Sequence, residues 1–179
     1  RKRLSTRQEM PAFNRVVEAL DAAGLPDVTF QQDVSLYFNG DKITLIHLPN
    51  GHTDGDSAVL FARDNILHLG DHYFNGRFPF VDLGSAGNAV QLAANVRSVL
   101  ANIDDKTVVI PGHGALSNRA ELLSYSTMLD DSIAQVKTMK AAGKSLAQAQ
   151  QQGLELAGDN WGSGFIDEAT WVSFIYHSL

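Results

Sequence analysis

Two histidines and one aspartate in glycine-rich segments are the residues of this chain best suited to metal chemistry. His52 lies in Gly-His-Thr-Asp-Gly-Asp-Ser, Asp71 in Leu-Gly-Asp, and His113 in Pro-Gly-His-Gly. Imidazole nitrogens and carboxylate oxygens are suitable zinc ligands, and a zinc-bound water with a pKa of about 7 is a nucleophile. The pattern therefore predicts a zinc site, with ordinary hydrogen-bonded loop residues as the alternative.

Two β-hairpins are predicted around His52 from alternating apolar and polar residues, which is the pattern of half-buried strands. The first turns at Asn39-Gly40, the dipeptide that a type I′ turn favours because both central residues take positive φ. The second turns at residues 63–65. His52 therefore follows the end of one predicted strand, and Asp71 follows the end of another. The predicted strands are residues 34–38, 42–48, 57–62 and 66–69.

A helix and one more strand are predicted to bring His113 to the same edge of the sheet. Apolar residues recur at helical spacing between Asp71 and His113, and the short apolar segment 107–110 follows them. A strand–helix–strand crossover makes its two strands parallel, so both end at one edge. Ligand sites of layered α/β proteins collect at such edges, and we expect the three residues to converge there. The helical stripe comprises Leu92, Val96, Val99, Leu100 and Ile103.

The remaining segments predict an α/β (α+β) fold without a linker that would separate two domains. A helix is predicted over residues 7–23, a loop rich in glycine and aromatic residues over 71–87, and a terminal helix over 167–179. Gly143 and Ser145 indicate a helix end and the cap of a short helix. They do not indicate a phosphate-binding loop, because the first glycine of that motif is missing. Another long helix carries Leu122, Tyr125, Leu129, Ile133 and Val136 on one face.

The composition is that of one ordinary globular domain. The chain has 179 residues and a net charge of −6, which argues against nucleic-acid or anionic-membrane partners. It has no cysteine, so disulfides and thiolate metal sites are excluded. No apolar run approaches the roughly 20 residues of a membrane-spanning helix. We expect a soluble protein of the cytoplasm or periplasm. Because the chain begins with Arg1 and not Met, the lack of a leader does not choose between them.

The order of these motifs resembles the metallo-β-lactamase superfamily. Gly-His-Thr-Asp-Gly-Asp-Ser, then a hairpin and Leu-Gly-Asp, then a helix and Ile-Pro-Gly-His-Gly carry the similarity, which covers residues 28–142. The resemblance implies that His52 completes the histidine trio of a first zinc ion. It also implies that Asp71 bridges two zinc ions and that His113 binds the second. An aspartate at the bridging position resembles the glyoxalase-II-like and other hydrolase branches, because true lactamases have cysteine there.

One part of the family pattern is missing. The His-x-His-x-Asp-His motif, which supplies four further ligands and precedes the others, does not occur in the chain. The resemblance therefore implies the C-terminal half of a four-layer αββα sandwich. Residues 1–179 would form one partial domain, with a helical C-terminal extension from residue 143. Its uncovered sheet face is expected to bind the missing N-terminal half or a second copy of the chain, as a homo-oligomer.

The function that the resemblance implies for the intact parent is zinc-dependent hydrolysis of a small-molecule substrate. A metal-bound hydroxide would attack an ester, thioester, amide or phosphoester, with one or two zinc ions in the intact fold. The chain alone is expected to be inactive and to hold zinc weakly. Two alternatives stay open: a non-catalytic or binding module of the same fold, and a mononuclear iron site. Two histidines and one carboxylate also describe the facial triad of iron oxygenases.

Neighbouring residues are candidates for orienting the ligands or contacting substrate. Asp56 and Ser57 are expected to cap the loop that carries His52, and for Asp54 two interpretations stay open: it caps the same loop, or it orients the His52 imidazole as an acceptor. His72 is interpreted as a residue behind the ligands or at the surface. His47 and the aromatic loop are candidates for the rim and wall of a pocket, with packing onto the core as the alternative. The aromatic candidates are Tyr73, Phe74, Phe78 and Phe80, and Asn75 and Arg77 are candidates for contact with a polar group of the substrate.

Overall fold

A computed structural model of the chain describes residues 3–10, 15–158 and 160–179. The strands are β1 (Gln8–Met10), β2 (Arg15–Val17), β3 (Asp33–Phe38), β4 (Asp41–Leu48), β5 (Asp56–Phe61), β6 (Ile66–Phe74), β7 (Val108–His113) and β8 (Ser117–Asn118). The helices are α1 (Ala89–Leu100), α2 (Arg119–Ala141), α3 (Leu146–Gln152) and α4 (Glu168–Ser178). Short 3₁₀ turns lie at Arg3–Ser5, Ala22–Gly24, Leu83–Ser85 and Trp161–Ser163.

Strands β3 to β8 form one six-stranded sheet in sequence order, and β1 pairs with β2 separately. Neighbouring strands are antiparallel except β6 and β7, which are parallel and connected through α1. This confirms the predicted crossover and the α/β class. The turn at Asn39-Gly40 is also confirmed, since its residues have φ values of 51° and 76°. Both are positive, as a type I′ turn requires.

The predicted N-terminal helix over residues 7–23 is wrong for the part of it that the structure describes. Residues 8–10 and 15–17 pair as antiparallel strands, and residues 22–24 form a 3₁₀ turn. Residues 11–14 lie outside the described ranges. Val16 and Val17 are β-branched residues, which favour extended backbone, and strand pairing here prevails over the helical tendency of the segment.

Two strands also run further than predicted. Strand β6 continues through Asp71 to Phe74, so the aromatic loop begins only at Asn75, and β7 continues through Pro111 to His113. The extra residues pair irregularly. Register shifts occur on both sides of Gly70, whose φ is 52°. Such bulges bend a strand and redirect its side chains, so alternation alone did not predict where β6 ends.

The helices cover one face of the sheet and form the core with it. Alternate residues of β6 and β7 point into this core, where α1, α2 and α4 also contact one another. The helical extension after residue 143 contributes to the same core through α4, and the assignment of residues 1–179 to one partial domain stays a prediction. No helix in the described ranges is long and apolar enough to cross a membrane. Fully buried core residues include Leu67, Leu69, Leu92, Val96, Val109, Leu122, Leu129, Trp171 and Ile175.

The other face of the sheet is apolar and only partly covered. Cross-strand partners show which residues share it, because paired residues of neighbouring strands point the same way. Leu36 pairs with Ile43, which pairs with Phe61, and this row continues to Val108. None of these residues is buried, and Leu36 is 49% exposed. The exposed or half-buried apolar residues of this face are Val34, Leu36, Ile43, Leu45, Val59, Phe61, Ile66, Val108 and Ile110.

Candidate metal centre

His52, Asp71 and His113 lie together at one edge of the sheet, as two pairs that share the aspartate. Nε2 of His52 is 3.3 Å from Oδ2 of Asp71, and Nε2 of His113 is 3.4 Å from Oδ1. The Asp71 carboxylate therefore has one imidazole on each oxygen. Within the described ranges, no three His, Asp or Glu side chains surround a single point in a way that would hold one metal ion.

The separations within each pair suit two ligands of one metal ion. Ligands at about 2.0–2.1 Å from a tetrahedral zinc ion lie about 3.3–3.4 Å from each other. Nδ1 of His52 is 2.9 Å from the carbonyl oxygen of Phe80, which can only accept, so Nδ1 carries the proton. In the neutral ring Nε2 then presents a lone pair to a carboxylate oxygen. Two acceptors in contact need a shared proton or a cation, so the donor set fits zinc.

The loop that carries His52 is hydrogen-bonded to residues 82–88, which connect the aromatic loop to α1. The carbonyl of His52 accepts from the amide of Asp82 at 2.9 Å, and the carbonyl of Gly51 accepts from the amide of Asn88 at 2.8 Å. Asp56 closes the loop from the other side, where Oδ2 accepts from both the amide and the hydroxyl of Thr53. The interpretation of Asp56 as a loop cap agrees with this geometry. The imidazole of His52 is therefore fixed before any ligand arrives.

Asp71 reaches its position because the neighbouring strand has no side chain there. Gly112 of β7 faces the irregular part of β6, and a Cβ at Gly112 would overlap both Oδ1 of Asp71 and the backbone of Gly70. Glycine at this position therefore leaves the room that the carboxylate occupies. Gly112, the first glycine of the Pro-Gly-His-Gly motif, thus makes room for the Asp71 side chain, although the two residues are far apart in sequence.

His113 is held by stacking and by a backbone hydrogen bond. Its ring stacks on Phe74 with centroids 4.5 Å apart and planes 20° apart. Its carbonyl oxygen accepts from the amide of Asn75 at 2.8 Å. The Asn75 side chain donates to the carbonyl of Ala115 at 3.1 Å, so this residue supports the loop around His113. The side chains of His113 and Asp71 are 46% and 40% exposed, whereas that of His52 is 13% exposed.

His72 is completely buried, which excludes the surface alternative and leaves its interpretation as a residue behind the ligands. Nδ2 of Asn95 donates to Nε2 of His72 at 3.0 Å and to the carbonyl of Pro49. Nδ1 of His72 lies 4.0 Å from Oδ2 of Asp56. Burial lowers the pKa of His72 to about 4, against a smaller opposing effect of the Asp56 carboxylate. His72 is thus a neutral, buried support beneath the loop that carries His52.

Substituting Gly51 by alanine should therefore destabilise the protein. A Cβ at Gly51 would overlap Nε2 and Cε1 of His72, whose position Asn95 fixes. We expect Gly51→Ala to lower the free energy of unfolding by about 1–3 kcal/mol, the usual range for an overpacked site. Denaturant titration measures this. Gly55→Ala on the same loop is the control, since a Cβ there meets open space. Its effect should stay within about 0.5 kcal/mol, and equal effects of the two changes would contradict the packing argument.

Other candidates lie away from the ligand pairs. Asp54 forms an ion pair with Arg3 at 3.2 Å and so does not orient His52. The ring nitrogens of His47 lie 2.9 and 3.0 Å from the carbonyl oxygens of Gln31 and Asp54, at the base of the loop. Tyr73 packs in the core against α2, where burial raises its pKa to about 12. Phe78 is likewise buried, against Trp171.

Two residues of this region, Asn95 and Phe165, and one backbone contact, that of Phe80, were not found by sequence reasoning. Asn95 is polar on the apolar stripe of α1, three residues after Leu92, and that exception is a signal of a buried polar contact. Phe80 orients His52 through its backbone carbonyl, which no side-chain pattern reveals. Phe165 lies beside His113 and Phe74, although it is far from them in sequence and outside any motif.

Comparison with known proteins finds partial relatives. The chain matches no family model. It is 31% identical over 94 residues to hydroxyacylglutathione hydrolase GloC of Haemophilus influenzae, which covers 52% of this chain and 43% of that protein. It is 36% identical over 92 residues to an uncharacterised protein of Mycobacterium leprae, which covers 47% and 41%. The chain therefore spans less than half the length of these curated relatives.

Solved structures share the fold at low identity. The stereoselective inverting sec-alkylsulfatase from Pseudomonas sp. superposes with a TM-score of 0.69 and 16% identity, over 86% of this chain and 26% of that one. A metallo-β-lactamase from Pontibacter korlensis superposes with a TM-score of 0.53 and 20% identity, over 60% and 50%. These likenesses show that the chain has the fold of the metallo-β-lactamases, and the sequence similarity to a hydroxyacylglutathione hydrolase supports the resemblance seen in its motifs.

Proposed function

We propose that this chain supplies the later metal ligands of a zinc-dependent hydrolase. The observation that carries the proposal is the Asp71 carboxylate, which has the Nε2 atom of His52 at 3.3 Å from one oxygen and that of His113 at 3.4 Å from the other. A carboxylate placed in this way suits a bridge between two metal ions, with one imidazole beside each. The similarity to a hydroxyacylglutathione hydrolase supports a hydrolytic function.

Zinc bound at these positions would supply a Lewis acid that activates water for attack on an ester, thioester, amide or phosphoester. The chain's own residues prepare the donors. The Phe80 carbonyl holds the proton of His52 on Nδ1, so that Nε2 carries no proton and its lone pair can bind a metal ion. Phe74 and Phe80 lie beside the two imidazoles and exclude water from that side. An apolar surround strengthens every electrostatic interaction between the donors and a cation.

The pairwise arrangement favours two zinc positions over a single iron centre. A facial triad needs two histidines and one carboxylate around one point. In the described part of the chain the donors instead meet in pairs about Asp71. A non-catalytic module of the same fold would need no such arrangement of donors.

Zinc titration of ligand variants tests the proposal, because a shared carboxylate predicts unequal losses. In isothermal titration calorimetry we expect two zinc-binding events for the wild-type chain. His52→Ala and His113→Ala should each remove one of them. Asp71→Ala should weaken both at least about tenfold. His177→Ala is the control, since that histidine lies on α4 and bonds within its own helix. A titration in which Asp71→Ala binds zinc like the wild-type chain would refute the proposed site.

A further inference from the structure

Phe165 is a large apolar side chain exposed beside the ligand pairs. It is 60% exposed, and its ring centroid lies 6.1 Å from that of His113. It also lies 6.0 Å from the ring of Phe74 and 6.4 Å from that of Phe80. Phe165 therefore extends an aromatic surface from the two buried rings that flank the imidazoles out to solvent.

The backbone around Phe165 is firmly placed on both sides. The carbonyl of Trp161 accepts from the amide of Phe78 at 2.8 Å. Gly164 lies against Arg77, where a Cβ would come within 3.1 Å of Cδ. On the other side, Ile166 is buried in the core. The aromatic loop and the C-terminal extension thus hold Phe165 at this position, and its exposure is not that of a loose end.

The surroundings of Phe165 divide into a polar and an apolar part. The polar part is two imidazoles and a carboxylate, and the apolar part is the two phenyl rings of Phe74 and Phe80. Ligand sites combine a mostly apolar wall with a few polar groups that fix orientation. An exposed ring contributes little to folding, because most of its surface is still in contact with water. A ligand that covers the apolar surface of the ring would remove that surface from water, which favours binding.

We infer that Phe165 forms the apolar wall of the substrate site and takes an aryl or alkyl group of the substrate. The hydrolysable bond of that substrate would lie at the Asp71 cluster. The inference rests on the proposed function for the position of the reacting bond, and it deepens that function by assigning an apolar substrate class. It also assigns the C-terminal extension a role in substrate selection.

Binding of an aromatic carboxylate tests the inference without zinc and without turnover. With 2-naphthoate as the probe, we expect amide signals of residues 164–166 and of His113 to shift in NMR spectra, whereas acetate should leave them unchanged. Phe165→Ala should weaken naphthoate binding by about threefold to tenfold, the usual contribution of an aromatic pair. Phe165→Trp should retain binding. Leu123→Ala, at an exposed position on α2, is the matched control and should change nothing.

Two results would overturn the inference. One is naphthoate binding by Phe165→Ala as tight as that by the wild-type chain. The other is signal shifts confined to the exposed sheet face of β3 to β5. The naphthoate experiment contains no zinc. If naphthoate still contacts Phe165 but the zinc titration shows no site, only the proposed metal site is contradicted.

Discussion

Purified at micromolar concentration, the chain is expected to form a dimer or larger species, with a mass at least twice its 19.4 kDa. The cause is the partly covered apolar face of the sheet, where Leu36, Ile43 and Phe61 form one row across three strands. Phe38, at the end of β3, is 65% exposed. Contiguous apolar patches of more than a few hundred Å² are rare on soluble monomers.

The free energy involved is large. At roughly 25 cal/mol per Å², leaving such a face in water costs on the order of 10 kcal/mol, which is comparable to the whole stability of a domain. A second copy, or a separate polypeptide that supplies the other half of the sandwich, would remove this cost. Only the separate polypeptide would also supply the missing metal ligands, so we propose it as the functional partner.

Charged substitutions on the two faces of β3 and β4 distinguish association through this apolar face from nonspecific aggregation. Leu36→Glu combined with Leu45→Glu should shift the chain to monomer, because both positions lie on the partly covered apolar face. Tyr37→Glu is the control, since Tyr37 is 80% exposed and points to the opposite side of the same strand. Sedimentation velocity reports the mass of each variant. A stable wild-type monomer with cooperative unfolding would contradict the prediction and imply that other residues cover the face.

The strands and helices that position the site could be predicted because each has a local signal. Asn39-Gly40 supplies positive φ at both turn residues, and the stripe on α1 repeats at helical spacing. The parallel pairing of β6 and β7 follows from the crossover rule. The N-terminal segment was predicted wrongly because its composition suits a helix, whereas pairing of Gln8–Met10 with Arg15–Val17 decides its structure.

The closeness of His52, Asp71 and His113 could be predicted for a different reason, namely that each follows the end of a predicted strand, although β6 and β7 in fact continue through Asp71 and His113. What could not be predicted are contacts between segments distant in sequence. The Phe80 carbonyl on His52, the Asn95 amide on His72 and the Phe165 ring beside His113 all depend on tertiary packing. A one-dimensional pattern records side-chain type and spacing, and it holds no information about which backbone carbonyl will face a given ring.

The isolated chain is expected to hydrolyse model esters and thioesters very slowly. Catalytic zinc sites usually have three protein ligands and an open position. Here His52 and Asp71 would serve one ion, and Asp71 and His113 the other. Two ligands for each ion leave both positions incomplete, so we expect zinc dissociation constants that are micromolar or weaker, a binding free energy of about 8 kcal/mol or less.

A longer polypeptide that places the His-x-His-x-Asp-His motif ahead of this chain should be at least about a hundredfold faster. A properly held metal ion contributes several kcal/mol to transition-state stabilisation, and each 1.4 kcal/mol is about tenfold in rate. Asp71→Ala should abolish that gain, because the carboxylate serves both positions, whereas His177→Ala should preserve it. Initial rates with and without a chelator measure the effect. Substantial turnover by the purified chain alone, lost with chelator and restored by zinc, would show that the three ligands on β6, β7 and the His52 loop suffice.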